Sequence, residues 1–155
     1  MMSTIILVFH GLIAAGLLGA VTHQSIALWR QGPVPDGNFV AHLRATRPAV
    51  YTNAIVILYV VSFFLGAILY AWYRVDVRPA LEETRVFMAA WAFETKEHLS
   101  ALGLGLLPAY WLLWKAPALA DKVAVRKYLT LLLTFYVWWN FLVGHIVNNI
   151  RGLSP

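Results

Sequence analysis

"FETKEHLSALGLGLLPAYWLLW", residues Phe93 to Trp114, sets two glutamates, a lysine and a histidine directly before a run that carries no charge. Soluble helices do not usually keep such a run. A charge cluster that merely closed a membrane segment would not need its histidine on the apolar side. The stretch therefore reads as a bilayer-crossing helix, roughly residues 90–114, with ionisable groups carried inside it.

The rest of the composition agrees. The chain has 155 residues, of which 61% are apolar and 12% charged, against roughly 45–50% and 25% in ordinary globular proteins. Its mean hydropathy is +0.69. A hydrocarbon core of about 30 Å takes about 20 helical residues to cross. Four stretches meet that length: about 5–28, 50–73, 80–114 (entering the bilayer near residue 90) and 128–149. Backbone groups in lipid must be satisfied within their own segment, so these are helices. The expectation is an all-α integral membrane protein: one transmembrane domain over residues 1–155, built as a four-helix up-down bundle.

The first segment lacks a basic n-region and carries Thr22, His23 and Gln24 where small residues would mark cleavage, so it reads as retained. No cysteine is present, which excludes disulfides, thiolate ligands and C-x-x-C-H haem attachment. The net charge of +5 lies mostly in the connections. It speaks for membrane surface and topology, not nucleic acid.

Trp29 and Arg30 end the first helix as interface anchors. "QGPVPDGNF" (31–39) is loop. "VAHLRATRPAV" reads as a short interfacial helix stopped by Pro48, with His42, Arg44 and Arg47 near headgroups. The second helix closes in "YAWYR" (70–74). Pro79, with Glu82 and Glu83 in a first turn, reads as the start of helix three, and "KAPALADKVAVRK" (115–127) as a short basic connection. Arg30, Arg44, Arg47, Lys115, Lys122, Arg126 and Lys127 fall on one side, and Arg74, Arg78, Arg85, Lys96 and Arg151 on the other. The positive-inside rule then puts the N-terminus outside, and the expected location is the bacterial inner membrane.

Up-down topology fixes which residues share a leaflet. At about 1.5 Å per residue, His10 lies roughly 8 Å inside helix one, His98 roughly 12 Å inside helix three, and His145 roughly 6 Å before the end of helix four. All three fall at one depth near the N-terminal leaflet, here side A. Glu94 precedes His98 by one turn, and Asn148 and Asn149 follow His145 by one turn. Intramembrane ionisable residues usually face the bundle interior or a watery cavity. The expected site is therefore His10, His98 and His145, oriented by Glu94, Lys96, Asn148 and Asn149. Two of the imidazoles would hold haem b. His10, His98, His145 and Glu94 would instead suit a transition metal in a nitrogen/oxygen environment.

Plainer readings stand beside this one. His10 and His145 also fit interhelical hydrogen bonding, and the His98 group fits a polar helix end. His23 reads as an interface group and His42 as a headgroup-level residue. Asn53 and Asn140 read as helix–helix hydrogen bonds, "FYVWWNF" (135–141) as packing aromatics, and Pro108 as a kink. The small-residue series Gly11, Ala15, Gly19 and the pair Ala101, Gly105 would admit close approach of a helix or of a planar macrocycle.

On its four spans, "FHG" (9–11), "KEH" (96–98) and "GH" (144–145), the chain resembles small four-helix membrane b-type cytochromes and haem-associated proteins of the CopD and HemJ-like families. The resemblance implies haem b, with a quinone or a redox protein as partner, and it implies a lysine near the haem. Lys96 is the membrane-segment candidate. Two further classes stay open. One is a non-catalytic accessory or anchor subunit of a larger, respiratory-type membrane complex, homo- or hetero-oligomeric, which the lack of any aqueous domain favours. The other is a transporter, disfavoured by four helices without an internal repeat.

Overall fold

A computed structural model describes residues 2–28 and 47–150. The expected anchors Trp29 and Arg30, the expected 31–39 loop, the expected short helix with His42 and Arg44, and Arg151 lie outside the described residues.

Among the described residues the chain is helical, without strands, and has four long helices. Helix α1 spans Met2–Leu28. A 3-10 turn, Pro48–Val50, leads into α2, Tyr51–Trp72. The helix does not end in the tyrosine belt. It continues through a π-helical turn, Tyr73–Val77, into the short α3, Arg78–Glu83. Helix α4 spans Phe87–Lys115 and contains Pro108; α5 spans Val123–Ile150.

This corrects the expected start of helix three. Pro79 does open a helical segment, but that segment extends α2. The break falls at residues 84–86, where Arg85 takes φ 60°. A proline inside a continuous α-helix clashes with the carbonyl four residues back and leaves it unbonded. The π turn just ahead resets the hydrogen-bond register, so Pro79 sits in a first turn, where neither penalty applies.

Three segments, Met2–Leu28, Pro48–Glu83 and Val123–Ile150, are long and apolar enough to cross a membrane. By length and composition the chain is an integral membrane protein. Helix α4 has the length, at 29 residues, but Glu94, Lys96 and Glu97 lower the hydropathy of its first half.

Contacts between the helices run antiparallel. Gln24, late in α1, donates to Thr52, early in α2 (3.4 Å), while His10 lies against Gly66, late in α2. Asn53 accepts from Trp111 Nε1 at 3.2 Å, and Tyr70 donates to Glu94 at 2.9 Å, which pairs α2 with α4. Ser100 Oγ donates to Asn140 Oδ1 at 3.1 Å, and Trp114 Nε1 to Thr130 at 3.1 Å, which pairs α4 with α5. Ser25 with Thr134 and Trp138 with Thr22 pair α5 with α1. Asn53 and Asn140 are the helix–helix hydrogen bonds expected of them.

The core is thin, as in a protein whose outer faces meet lipid. Leu17, Val21, Ile55, Tyr59, Leu107, Tyr110, Leu133 and Val137 form one buried cluster. Tyr73, Val77, Leu81, Ala89, Ala90, Val143 and Val147 form a second. Phe9, Leu12, Ile57, Phe64, Leu102 and Phe135 lie on the outside.

Candidate ligand chamber

A cavity of about 280 Å³ lies where the two clusters meet, near side A. Helix α1 contributes His10 and Gly11, α2 contributes Tyr59, Phe63 and Gly66, α4 contributes Phe93, Lys96, Glu97 and Ser100, and α5 contributes Asn140, Phe141, Gly144, His145 and Asn148.

Helix periodicity accounts for the α4 side of this wall. Gly103, Leu107, Tyr110 and Leu113 are its buried stripe. Carried back by threes and fours, the stripe reaches Ser100, then Lys96 and Glu97, then Phe93. Lys96 is only 8% exposed. Its ammonium pairs with Glu97 and lies 4.3 Å from the centre of the Phe93 ring. Neighbours i and i+1 do not face each other across a helix surface, so this pair forms because both side chains bend into the same chamber.

His10 is held by its neighbours. Its Nδ1 is buried with no partner among the described residues. Gly66 makes the close approach possible: a Cβ there would stand 3.4 Å from His10 Cε1. Gly103 does the same for Tyr59. A methyl at Gly103 would run into the Tyr59 phenol, with Cζ 2.8 Å away, and that phenol donates to the Ser100 carbonyl at 3.0 Å.

His145 also lines the chamber, but at its rim. It is exposed, as is Asn148, and it stacks on Phe141 with ring centres 6.4 Å apart. Gly11, also exposed, lies on this side too. The chamber thus opens on its α1–α5 side.

The expected three-histidine convergence is corrected. His98 is exposed, its Nδ1 bonded to the Glu94 carbonyl of its own helix at 2.8 Å, and it does not line the chamber. At about 100° per residue, a helix that turns Lys96 inward turns His98 outward. Glu94 does not orient His98 through its carboxylate. That group accepts from Tyr70 at 2.9 Å and from Arg78 at 2.9 Å, with Arg74 at 3.9 Å, and so ties α4 to α2 and α3. Asn149 bonds the His145 carbonyl at 2.8 Å and lies outside the lining.

Among the described residues, no group of three or more His, Cys, Asp or Glu side chains is placed to hold a metal ion. The expected set of His10, His98, His145 and Glu94 is not assembled. The small residues also part company: Gly11, Gly19 and Gly105 have open space where a Cβ would stand, whereas Gly66 and Gly103 are the ones closely approached.

Glu97, from the charged cluster at the start of the 93–114 stretch, does line the chamber, whereas Ser100, Asn140 and Tyr59 were not expected there. The buried stripe of α4 carried the signal for Ser100. His23 packs on Tyr51, ring centres 4.8 Å apart, away from the chamber. No family model, no curated protein and no solved structure matches the chain.

Proposed function

We propose that the protein is an integral membrane redox protein, its four helices crossing the bilayer in up-down order. Its side-A chamber binds a redox-active small molecule through His10 and Lys96. One observation carries this reading: His10, Lys96, Glu97 and Asn140, from three helices, converge on a single apolar-walled chamber. Ionisable groups at bilayer depth are expensive and mark functional sites by default. Plain helix packing would pair such groups with one another and leave no cavity beside them. The same argument makes α4 the fourth span, because its charges sit in the chamber or in the Glu94–Arg78 pair.

In this reading Lys96 is a hydrogen-bond donor and a positive charge, paired with Glu97. His10 supplies the imidazole, set close against Gly66 of α2. The volume, about 280 Å³, sits at the lower edge of the roughly 300–1,000 Å³ range of small-molecule sites. That suits a single ring-shaped head group with its remainder outside.

A second reading is a b-type haem between His10 and His145, favoured by both imidazoles lining one chamber. His10 and His145 would hold it, and the group would supply one-electron chemistry. The test is direct. Detergent-purified protein is examined by absorption spectroscopy, oxidised and reduced, and its solvent extract is assayed for redox-active molecules. The proposal expects such a molecule in the wild type and its loss in His10→Ala. A colourless wild type that yields no such molecule and takes none up would overturn it.

A further inference from the structure

We infer that the chamber takes its ligand from the bilayer, through a mouth between α1 and α5. The ligand is an amphiphile whose polar head meets Lys96 while its apolar chain stays in the mouth and in lipid. This rests on the redox reading above and adds the source and shape of the molecule.

The chamber is closed in its other directions. Toward side A it ends against Tyr73, Val77 and Val147, all buried, with Leu81 of α3 packed in the same cluster. Toward the far end it stops at Leu17 and Val137, backed by Ile55 and Leu133. His10 fills the seam between α1 and α2 by lying against Gly66. Tyr73 fills the seam between α2 and α4: its ring centre is 3.8 Å from that of Phe93, and its hydroxyl donates to the Ala90 carbonyl at 3.4 Å. Ser100 with Asn140, and the Lys96 chain against Gly144, close the seam between α4 and α5.

The seam between α1 and α5 differs. Its hydrogen bonds, Ser25 with Thr134 and Thr22 with Trp138, lie in the far half of the two helices. In the near half stand Gly11, His145 and Asn148, which line the chamber and are exposed. Among the described residues, no lining residue of α2 or α4 is exposed. At about 1.5 Å per residue, this mouth runs from the side-A end of α5 to roughly 8 Å inside α1. That is the depth of the headgroup and acyl boundary, where the apolar face of an amphiphile settles.

Inside, most polar groups are spent on one another. The Tyr59 phenol donates to the Ser100 carbonyl, the Ser100 hydroxyl to Asn140, and the Asn140 amide to the Tyr136 carbonyl at 2.6 Å. Lys96 has three N–H donors, and its hydrogen bond among the described residues goes to Glu97. A head that completes the chamber therefore accepts from Lys96. The cavity, about 280 Å³, is too small for a long chain as well as a head, so the chain lies in the mouth.

The experiment places bulk in the mouth. Gly11 and Gly19 are both exposed, with open space where a Cβ would stand, but only Gly11 lines the chamber. Wild type, Gly11→Phe, Gly19→Phe and Lys96→Met are purified as full chains in native-lipid nanodiscs. Each is extracted with solvent, and the redox-active molecule per chain is measured and partitioned between hexane and water. The expected result is a hexane-soluble molecule in wild type, unchanged in Gly19→Phe and at least tenfold lower in Gly11→Phe and in Lys96→Met. The wild-type partition needs no variant, so it stands even where a substitution impairs folding. Full content in Gly11→Phe, or in a folded Lys96→Met protein, would overturn the inference. A redox-active molecule that is haem, or that stays in the aqueous layer, would overturn it while the redox reading stands. No redox-active molecule in wild type would overturn both.

Discussion

His98 and Lys96 are two residues apart and have opposite fates. A helix turns about 100° per residue, so the two side chains point to nearly opposite faces, and only one can reach the chamber. Sequence gives depth directly, because rise per residue is fixed, and the shared depth of His10, His98 and His145 was legible on that basis. Rotation about the helix axis is set instead by the phase of the buried stripe. The stripe through Gly103, Leu107 and Tyr110 points to Lys96, Glu97 and Ser100 as the inward residues, and that phase excludes His98. The glycines of α4 divide in the same way. Gly103→Ala forces its methyl into the Tyr59 ring and should lower stability by about 1–3 kcal/mol, as overpacked sites do, while reducing ligand content. Gly105→Ala meets open space and should be neutral or stabilising by up to about 1 kcal/mol through helix propensity. Unfolding of both variants in mixed micelles checks the contrast; equal effects would contradict the placement of Tyr59 over Gly103.

At the scale of the element, α2 and α3 carry the clearest lesson. Pro79 was legible as the opening of a helical turn, but not which helix it would join. That depends on the π turn at Tyr73–Val77, for which no local residue pattern gives a signal. The turn brings Arg74 and Arg78 around to Glu94, which Tyr70 also holds. The true break is at Arg85, whose φ of 60° is costly for a residue with a Cβ. Arg85→Gly should therefore raise stability by about 1 kcal/mol, measured by the same unfolding assay. A loss of stability would mean that the Arg85 side chain contributes more to the turn than its backbone costs. Glu94→Gln weakens the link to Arg78 without touching the chamber lining. It should leave ligand affinity within about twofold of wild type, because Glu94 acts between helices and not on the ligand.

At the scale of the molecule, the two ends of the bundle are built differently. The far end carries a hydrogen-bonded polar group: the Tyr110 hydroxyl donates to Gln24 Oε1, and Gln24 Nε2 donates to the Pro48 carbonyl at 3.0 Å and to Thr52, beside His23, whose Nδ1 is buried without a partner among the described residues. Gln24, Thr52, Tyr110 and Thr130 are fully buried. The side-A end keeps a chamber lined by His10, Lys96 and Glu97. Four helices and their membrane character were legible because composition and segment length depend on no partner. The division into a hydrogen-bonded end and a chambered one was not, since it depends on which helix faces meet. Tyr110→Phe removes one hydrogen bond from the far end. It should cost roughly 0.6–1.7 kcal/mol, the scale of interhelical hydrogen bonds in membranes, and leave ligand binding unchanged. A Tyr110→Phe protein that lost its ligand would show that the two ends are coupled.

The most direct measurement is the amount of redox-active molecule that co-purifies per chain in three proteins prepared side by side: wild type, His10→Ala and His98→Ala. Solvent extraction and absorption spectra are taken on each. The account predicts equal content in wild type and His98→Ala and a loss of at least tenfold in His10→Ala. Equal loss in the two histidine variants, or no such molecule in any of the three, would contradict it.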